Sequence, residues 1–340
     1  MSAFLARVLL ILAAVSVCAA PSAAQPIAPM SAYEVDQAGY GRWIAQLSEI
    51  ERPVHDALGS MQGYAQTLLE SRDLSRTATD YRAEIRRHIA TVDAVDARLA
   101  ALETPEFPAL QLPAEFSTAA VKRKVLEMNR HVRASLSSFI PLFDAIARRD
   151  LAAAQAANAR SMEAVRLMME SQLLLVRASQ APLRRTQGAW HIVNIQVIYY
   201  RLVVRLIQDW PQAGRTLRQT APLAREMNGL AAELDATASE GEARLEAELR
   251  LVRSMHAQAE RRGDAARATV FRRSLAVMSE GRTCFPLARE FAALLRREAA
   301  ALARGTLTPE AFVAMFQRFY AIRNRLGEID RNIAEVLRRG

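Results

Sequence analysis

The sequence predicts an all-α protein, built as one or two elongated antiparallel helical bundles. Apolar residues recur every three or four positions along almost the whole chain, as they do on the buried face of a helix. No run of alternating β-branched residues is long enough to form a convincing strand. A mean hydropathy of −0.02 with 51% apolar residues argues against both a disordered chain and an integral membrane protein. The 340 residues are enough for one large or two moderate cores.

Residues 1–24 have the three parts of a secretory signal peptide. Arg7 supplies the positive charge, the stretch Val8 to Val17 is the apolar segment, and Ser22 to Ala24 forms a small-x-small cleavage site before Gln25. The apolar segment is too short to span a bilayer, which needs ~20 residues. We therefore expect an exported protein, periplasmic in a Gram-negative bacterium and otherwise secreted. Residues 25–30 form a short leader that contains two prolines.

Residues 31–181 are predicted to form an N-terminal four-helix bundle. A capping box from Ser31 to Glu34 begins the first helix, which ends near Arg72 with a kink or restart at Pro53. The second helix covers about 75–103 and ends at a proline-rich crossing over 104–113. The third helix runs to about residue 149, with a kink expected at Pro141. Asp150 caps the fourth helix, which ends before Pro182.

Residues 182–340 are predicted to form a C-terminal helical domain. Helices are expected over about 189–210, 214–262, 264–280 and 283–304, with interruptions at Pro211, Pro222 and Gly241. The last helix begins at Thr308, Pro309 and Glu310, which supply an N-cap, an N1 proline and an acidic first turn. A weak internal similarity links the Arg-Arg-Asp before residue 151 to the Arg-Arg-Gly-Asp before residue 265.

Apolar residues of the last helix alternate at spacings of three and four, which is the pattern of a coiled-coil seam. This seam consists of Phe312, Met315, Phe319, Ile322, Leu326, Ile329, Ile333 and Val336. Two arrangements fit the pattern. The helix packs inside its own bundle, or the segment 308–338 forms the seam of a homodimer.

Arginine carries most of the formal net charge of +9, because Lys122 and Lys124 are the only lysines. In an envelope compartment such a chain is expected to meet an envelope protein or an anionic envelope component rather than nucleic acid. The common catalytic motifs are absent from the sequence, including a Gly-rich phosphate loop, GxSxG, HExxH and a Cys/His cluster. We therefore expect a protein that is not an enzyme.

Three of the five histidines follow a glutamate by four residues. Residues at this spacing share a helix face, so each pair presents an imidazole beside a carboxylate. Such side chains on facing helices can form a metal site, although the spacing differs from the Glu-x-x-His motif of di-iron bundles. The alternative is a set of helix-stabilising pairs at the bundle rim. The pairs are Glu51 with His55, Glu84 with His88, and Glu127 with His131.

A second candidate site lies on the most hydrophobic helix of the mature chain, predicted over 189–210. Its polar residues fall on one narrow stripe that includes Asn194, Arg201 and Arg205. Two arginines one turn apart can bind a carboxylate or a phosphate bidentately. The alternative is that these residues pair with glutamates of neighbouring helices. The two arginines also make a membrane-spanning role for this helix unfavourable.

Cys284 is the only cysteine that remains once residues 1–24, with Cys18, are removed. It is expected to be a small buried core residue, with an intermolecular disulfide as the alternative. Together these features predict an exported helical bundle that acts as a non-enzymatic binding or scaffold component of the bacterial envelope. A bundle that binds a metal ion or a small anion is the alternative function.

Overall fold

The computed structural model describes residues 32–70, 74–209, 220–305 and 307–339. Within these ranges the chain forms nine α-helices and two short 3₁₀ turns, with no β-strand. The predicted all-α fold class is confirmed. The predicted signal peptide, the leader, the cap residue Ser31 and Pro211 lie outside the described residues.

The first four helices pack as neighbours in chain order. They are α1 (Ala32–Glu70), α2 (Leu74–Ala101), α3 (Thr118–Ala147) and α4 (Leu151–Gln180), with the 3₁₀ turns Pro108–Leu110 and Ala114–Phe116 between α2 and α3. Pro53 and Pro141 lie inside α1 and α3, and neither helix ends or restarts there. Each proline removes one backbone hydrogen bond, and each helix is nevertheless continuous along its buried face.

Five further helices complete the fold: α5 (Gly188–Gln208), α6 (Ala221–Arg261), α7 (Ala265–Arg282), α8 (Cys284–Leu302) and α9 (Pro309–Arg339). Pro222 lies in the first turn of α6 rather than interrupting a helix. The predicted interruption at Gly241 is wrong, because α6 runs through it. A Cβ atom at Gly241 would lie 2.5 Å from both His191 Cβ and Phe285 Cε1, so glycine here permits close contact with α5 and α8.

Two hydrophobic cores lie on either side of α4. Leu175 and Ala178 of α4 belong to the first core, which α1, α2 and α3 complete. Val176 of the same helix belongs to the second core, which extends through α5 to Ile333 of α9. Since α4 contributes to both cores, the division into domains at residues 31–181 and 182–340 stays a prediction.

The apolar seam of α9 packs inside the chain. Phe312, Met315, Phe319, Ile322, Leu326, Ile329 and Ile333 are buried, and the ring centroids of Phe291 and Phe319 lie 6.0 Å apart. The helix contacts α7 and α8. A homodimer that uses α9 would have to form through its opposite, polar face. No helix in the described ranges is long and apolar enough to cross a membrane.

The α3–α4 and α6–α7 turns share one local geometry. A residue in the left-handed region ends each first helix: Arg149 with φ 56° and Gly263 with φ 70°. The next residue, Asp150 or Asp264, donates its backbone N–H to a carbonyl five residues earlier, over 2.9 and 3.0 Å. The same aspartate then caps the following helix through its carboxylate. The two arginine-aspartate motifs therefore encode similar helix-to-helix turns.

Candidate functional site

The described side chains of the three predicted Glu/His pairs form no common centre. Glu84 forms an ion pair with Arg87 at 3.0 Å, and Glu127 forms one with Lys124 at 2.6 Å. The side chain of His55 lies outside the described part of the structure. Among the side chains that are described, no group of three or more His, Cys, Asp or Glu residues could hold a metal ion. The predicted metal site therefore does not enter the proposed function.

Glu51 instead belongs to a polar layer inside the first core. Asn129 Nδ2 of α3 donates hydrogen bonds to Glu51 Oε1 of α1 over 2.9 Å and to Asp96 Oδ1 of α2 over 2.6 Å. Glu51 and Asn129 are both fully buried, and Glu51 Oε2 and Asn129 Oδ1 have no hydrogen-bond partner among the described residues. One amide thus connects carboxyl groups from two other helices.

Burial raises the pKa of Glu51 to about 8, against the smaller opposing effect of the Asn129 hydrogen bond. The carboxyl group is therefore mostly protonated at neutral pH, because the charged form would lose its hydration in the core. Burial also raises the pKa of Asp96. A carboxyl group enclosed in this way can contribute to stability and to specific helix packing, but it has no access to a substrate in solution.

Sequence reasoning missed Asn129 and Asp96 as partners of Glu51. One signal was available, since Asn129 interrupts the apolar stripe of Val125, Met128 and Val132 on α3. A buried amide in such a stripe requires a polar partner on a facing helix. The sequence does not identify that partner, because the register between α1, α2 and α3 depends on packing.

The polar stripe on α5 is paired with α6. Arg201 contacts Glu233 at 2.7 Å, and Arg205 contacts Glu226 at 2.9 Å and Asp209 at 2.7 Å. Arg201 and Arg205 therefore pair with glutamates of a neighbouring helix, which was the alternative to an anion site.

Asn194 lies on the same stripe and is also engaged. It donates to Thr237 Oγ1 over 3.0 Å and accepts from Gln180 Nε2 over 3.2 Å. All three residues of the predicted anion site thus contact protein groups, and Glu233 and Glu226 would compete with an anion for the arginines.

A partly buried cation beside the second core was not anticipated. Arg323 of α9 donates to the Tyr320 hydroxyl over 3.1 Å and hydrogen-bonds to the side chain of Tyr200. Burial raises the pKa of both Tyr199 and Tyr200, so their hydroxyl groups stay neutral beside the guanidinium. These tyrosines solvate the charge of Arg323 in place of water.

Charge is strongly segregated along α6. Its first 28 residues contain seven carboxylates, at positions 226, 233, 235, 240, 242, 246 and 248. Several of them bind arginines of neighbouring helices, as Glu226 and Glu233 do on α5, Glu242 with Arg289 of α8, and Glu246 with Arg282 of α7. This part of α6 is therefore electrostatically matched to its neighbours.

The last part of α6 and the first part of α7 have the opposite character. Residues 250–273, here called the arginine-rich end, contain seven arginines and two acidic residues, a formal charge of +5 out of +9 for the whole chain. Five of these arginines are exposed and form no ion pair with any residue that the structure describes: Arg250, Arg253, Arg261, Arg262 and Arg272. The two acidic residues, Asp264 and Glu260, pair locally with Arg267 and His256.

Comparison of the chain with protein-family models, with curated proteins and with solved structures finds no match.

Proposed function

We propose that this protein is exported and serves as a non-enzymatic binding or scaffold component of a bacterial cell envelope. In this proposal it holds an anionic envelope component at its arginine-rich end. The observation that carries the proposal is the concentration of unpaired arginines over residues 250–273, which contrasts with the paired arginines of α5, α7 and α8. Such a concentration attracts anionic partners over the range of a Debye length.

Two further features support the proposal. The signal-peptide pattern of residues 1–24 directs the chain to the envelope, where lipids and polymers carry negative charge. Three carboxyl groups have strongly raised pKa values: Glu51 and Asp330 are buried, and Glu248 accepts a hydrogen bond from the backbone N–H of Gly188. Each of these perturbed carboxyl groups thus has a structural explanation that needs no catalytic role.

Sedimentation with isolated bacterial envelopes tests the proposal. Residues 25–340 are expected to co-sediment with envelopes at low ionic strength and to be released as salt is added, because salt screens exposed charges. The triple variant Arg253→Glu, Arg261→Glu, Arg272→Glu is expected to stay in the supernatant. The matched variant Arg98→Glu, Arg123→Glu, Arg225→Glu changes the charge equally at exposed sites elsewhere that form no ion pair with a described residue, and it is expected to sediment normally.

The proposal is contradicted if the unaltered chain stays in the supernatant at low salt. Equal losses in the two triple variants would also contradict it, since they would reflect total charge rather than a particular surface.

A further inference from the structure

The arginine-rich end extends beyond the first residue of α5. The backbone N–H of Gly188, the first residue of α5, donates to Glu248 Oε1 over 3.0 Å. Residues 249–261 of α6 therefore continue beyond the start of α5 by about 20 Å, at a rise of about 1.5 Å per residue. The helix α7 returns alongside, and Asn332 of α9 contacts Glu280 of α7 at 3.4 Å. The hairpin of α6 and α7 thus contacts α9 and carries the arginines beyond the start of α5.

On α6 two arginines of this end lie opposite the buried face, and a third lies on its flank. Leu245, Leu249, Val252 and Ala259 face the second core. With 100° between successive residues, Arg250 and Arg261 fall about 145–165° from the centre of that face, and Arg253 falls about 85° from it. The partial negative charge at the carboxyl end of α6 favours a cation at Arg261. It does not account for Arg250 or Arg253, which lie two to three turns earlier.

Exposed apolar side chains accompany these charges. Leu251 is 43% exposed and Val270 is 47% exposed, and both lie within the arginine-rich end. Few large apolar residues in the described ranges are exposed, and the others are Val35, Leu151 and Val313. Arginines mixed with exposed aliphatic side chains are typical of surfaces that lie in the headgroup region of a membrane. A surface for a soluble polyanion needs the charge alone.

We propose that the arginine-rich end is a membrane contact that docks on anionic phospholipid headgroups, with Leu251 and Val270 entering the boundary between headgroups and acyl chains. This inference rests on the proposed function and names the anionic component as a lipid surface. Guanidinium groups bind phosphate oxygens bidentately, so arginine suits this contact better than lysine. The two aliphatic side chains would add the apolar burial that holds the protein at the interface.

Vesicle sedimentation tests the inference, with phosphatidylcholine vesicles and with vesicles that also contain phosphatidylglycerol. The chain 25–340 is expected to bind the anionic vesicles and to leave the neutral ones unbound. The triple variant Arg253→Glu, Arg261→Glu, Arg272→Glu is expected to bind more than about 100-fold more weakly, because each arginine near such a surface contributes a factor of about five. The matched variant at Arg98, Arg123 and Arg225 is expected to bind as the unaltered chain does.

A second pair of variants tests the apolar contact. Leu251→Ser is expected to weaken binding to anionic vesicles several-fold, whereas Val313→Ser changes an equally exposed site on α9 and is expected to have no effect. Helicity and melting temperature of each variant confirm that it is folded.

The inference is overturned if phosphatidylglycerol does not increase binding, or if the two triple variants bind equally well. Binding to soluble polyphosphate or to lipid-free polysaccharide without binding to vesicles would also overturn it. In that last case the proposed function would survive with a polymer as its anionic component. If the unaltered chain does not sediment with envelopes, by contrast, both the proposed function and the membrane contact are contradicted.

Discussion

The side chain of Asn129 donates a hydrogen bond to Glu51 over 2.9 Å at a point where both residues are fully buried. Three helices meet there, since Asn129 also bonds to Asp96. Buried polar contacts of this kind add little net stability, but they penalise other registers that would leave the same groups unpaired. The layer therefore specifies how α1, α2 and α3 align.

The raised pKa of Glu51 predicts a characteristic pH dependence of stability. Its pKa is about 8 in the folded protein and close to 4.5 when unfolded, so between these pH values the folded state holds a proton that the unfolded state has lost. The free energy of unfolding from this group therefore falls by about 1.4 kcal/mol per pH unit from pH 4.5 to 8 and is constant above pH 8. Glu51→Gln removes this dependence.

Urea unfolding of the two proteins at several pH values measures the difference. Glu51→Gln is expected to gain stability relative to the unaltered chain as the pH rises from 5 to 8, with no further gain above pH 8. A difference that does not change with pH would show that the Glu51 carboxyl is not protonated in the folded protein.

The left-handed conformation of Arg149 predicts a stabilising glycine substitution. A non-glycine residue at φ 56° costs free energy that glycine does not. Arg149→Gly is expected to raise the unfolding free energy by about 0.5–1 kcal/mol, and Gly263→Ala, in the equivalent turn, is expected to lower it by a similar amount. Changes of the same sign at both positions would contradict the shared turn geometry.

The ion pairs on α5 predict small effects of substitution. Arg201→Met is expected to reduce the unfolding free energy by less than about 1 kcal/mol, because Arg201 and Glu233 are both more than one third exposed. Arg318→Met serves as a comparison, since its partner Glu298 is only 9% exposed and accepts two hydrogen bonds of 2.8 Å. That substitution is expected to cost about 2 kcal/mol.

The same variants test the small-anion hypothesis. Phosphate is expected to change the melting temperature of the unaltered chain and of Arg201→Met equally, because Arg201 is already paired with Glu233. A stabilisation by phosphate that disappears in Arg201→Met would instead favour an anion site at Asn194, Arg201 and Arg205.

Burial of Cys284 predicts an inert thiol. The residue is 1% exposed, and burial raises the pKa of its thiol above the usual range. A thiol reagent is expected to leave the native protein unmodified and to label one thiol per chain in denaturant after removal of residues 1–24. Cys284→Ser is expected to show no labelling in either state. Rapid labelling of the native protein would contradict this packing.

Local patterns in the sequence predicted much of the fold. The cap at Asp150, the start signal at residues 308–310 and the apolar spacing of α9 depend only on residues that are close together in the sequence, so they require no long-range information. A restart at Pro53 and an interruption at Gly241 do not occur, because tertiary packing along long helices outweighs one unfavourable residue, whereas the kinks expected at Pro53 and Pro141 stay predictions.

The candidate sites were harder to predict. Sequence spacing shows which residues share a face of one helix, but not what lies opposite. Glu51 was therefore placed with His55, whereas its contact is Asn129 on another helix. The arginine-rich end was overlooked because the chain as a whole has its charge spread out. Its distinctive feature is that five of its arginines form no ion pair with any described residue, and that depends on the fold.

We propose that this protein is exported and meets the envelope through residues 250–273. Site-specific photo-crosslinking in living cells tests this contact directly, with a photoreactive amino acid at Ser254 or, as a control, at the exposed Asn228 near the other end of α6. We expect adducts with an envelope component from position 254 that are lost when Arg253, Arg261 and Arg272 are changed to glutamate, and none from position 228. Equal crosslinking from both positions, or none from position 254, would contradict it.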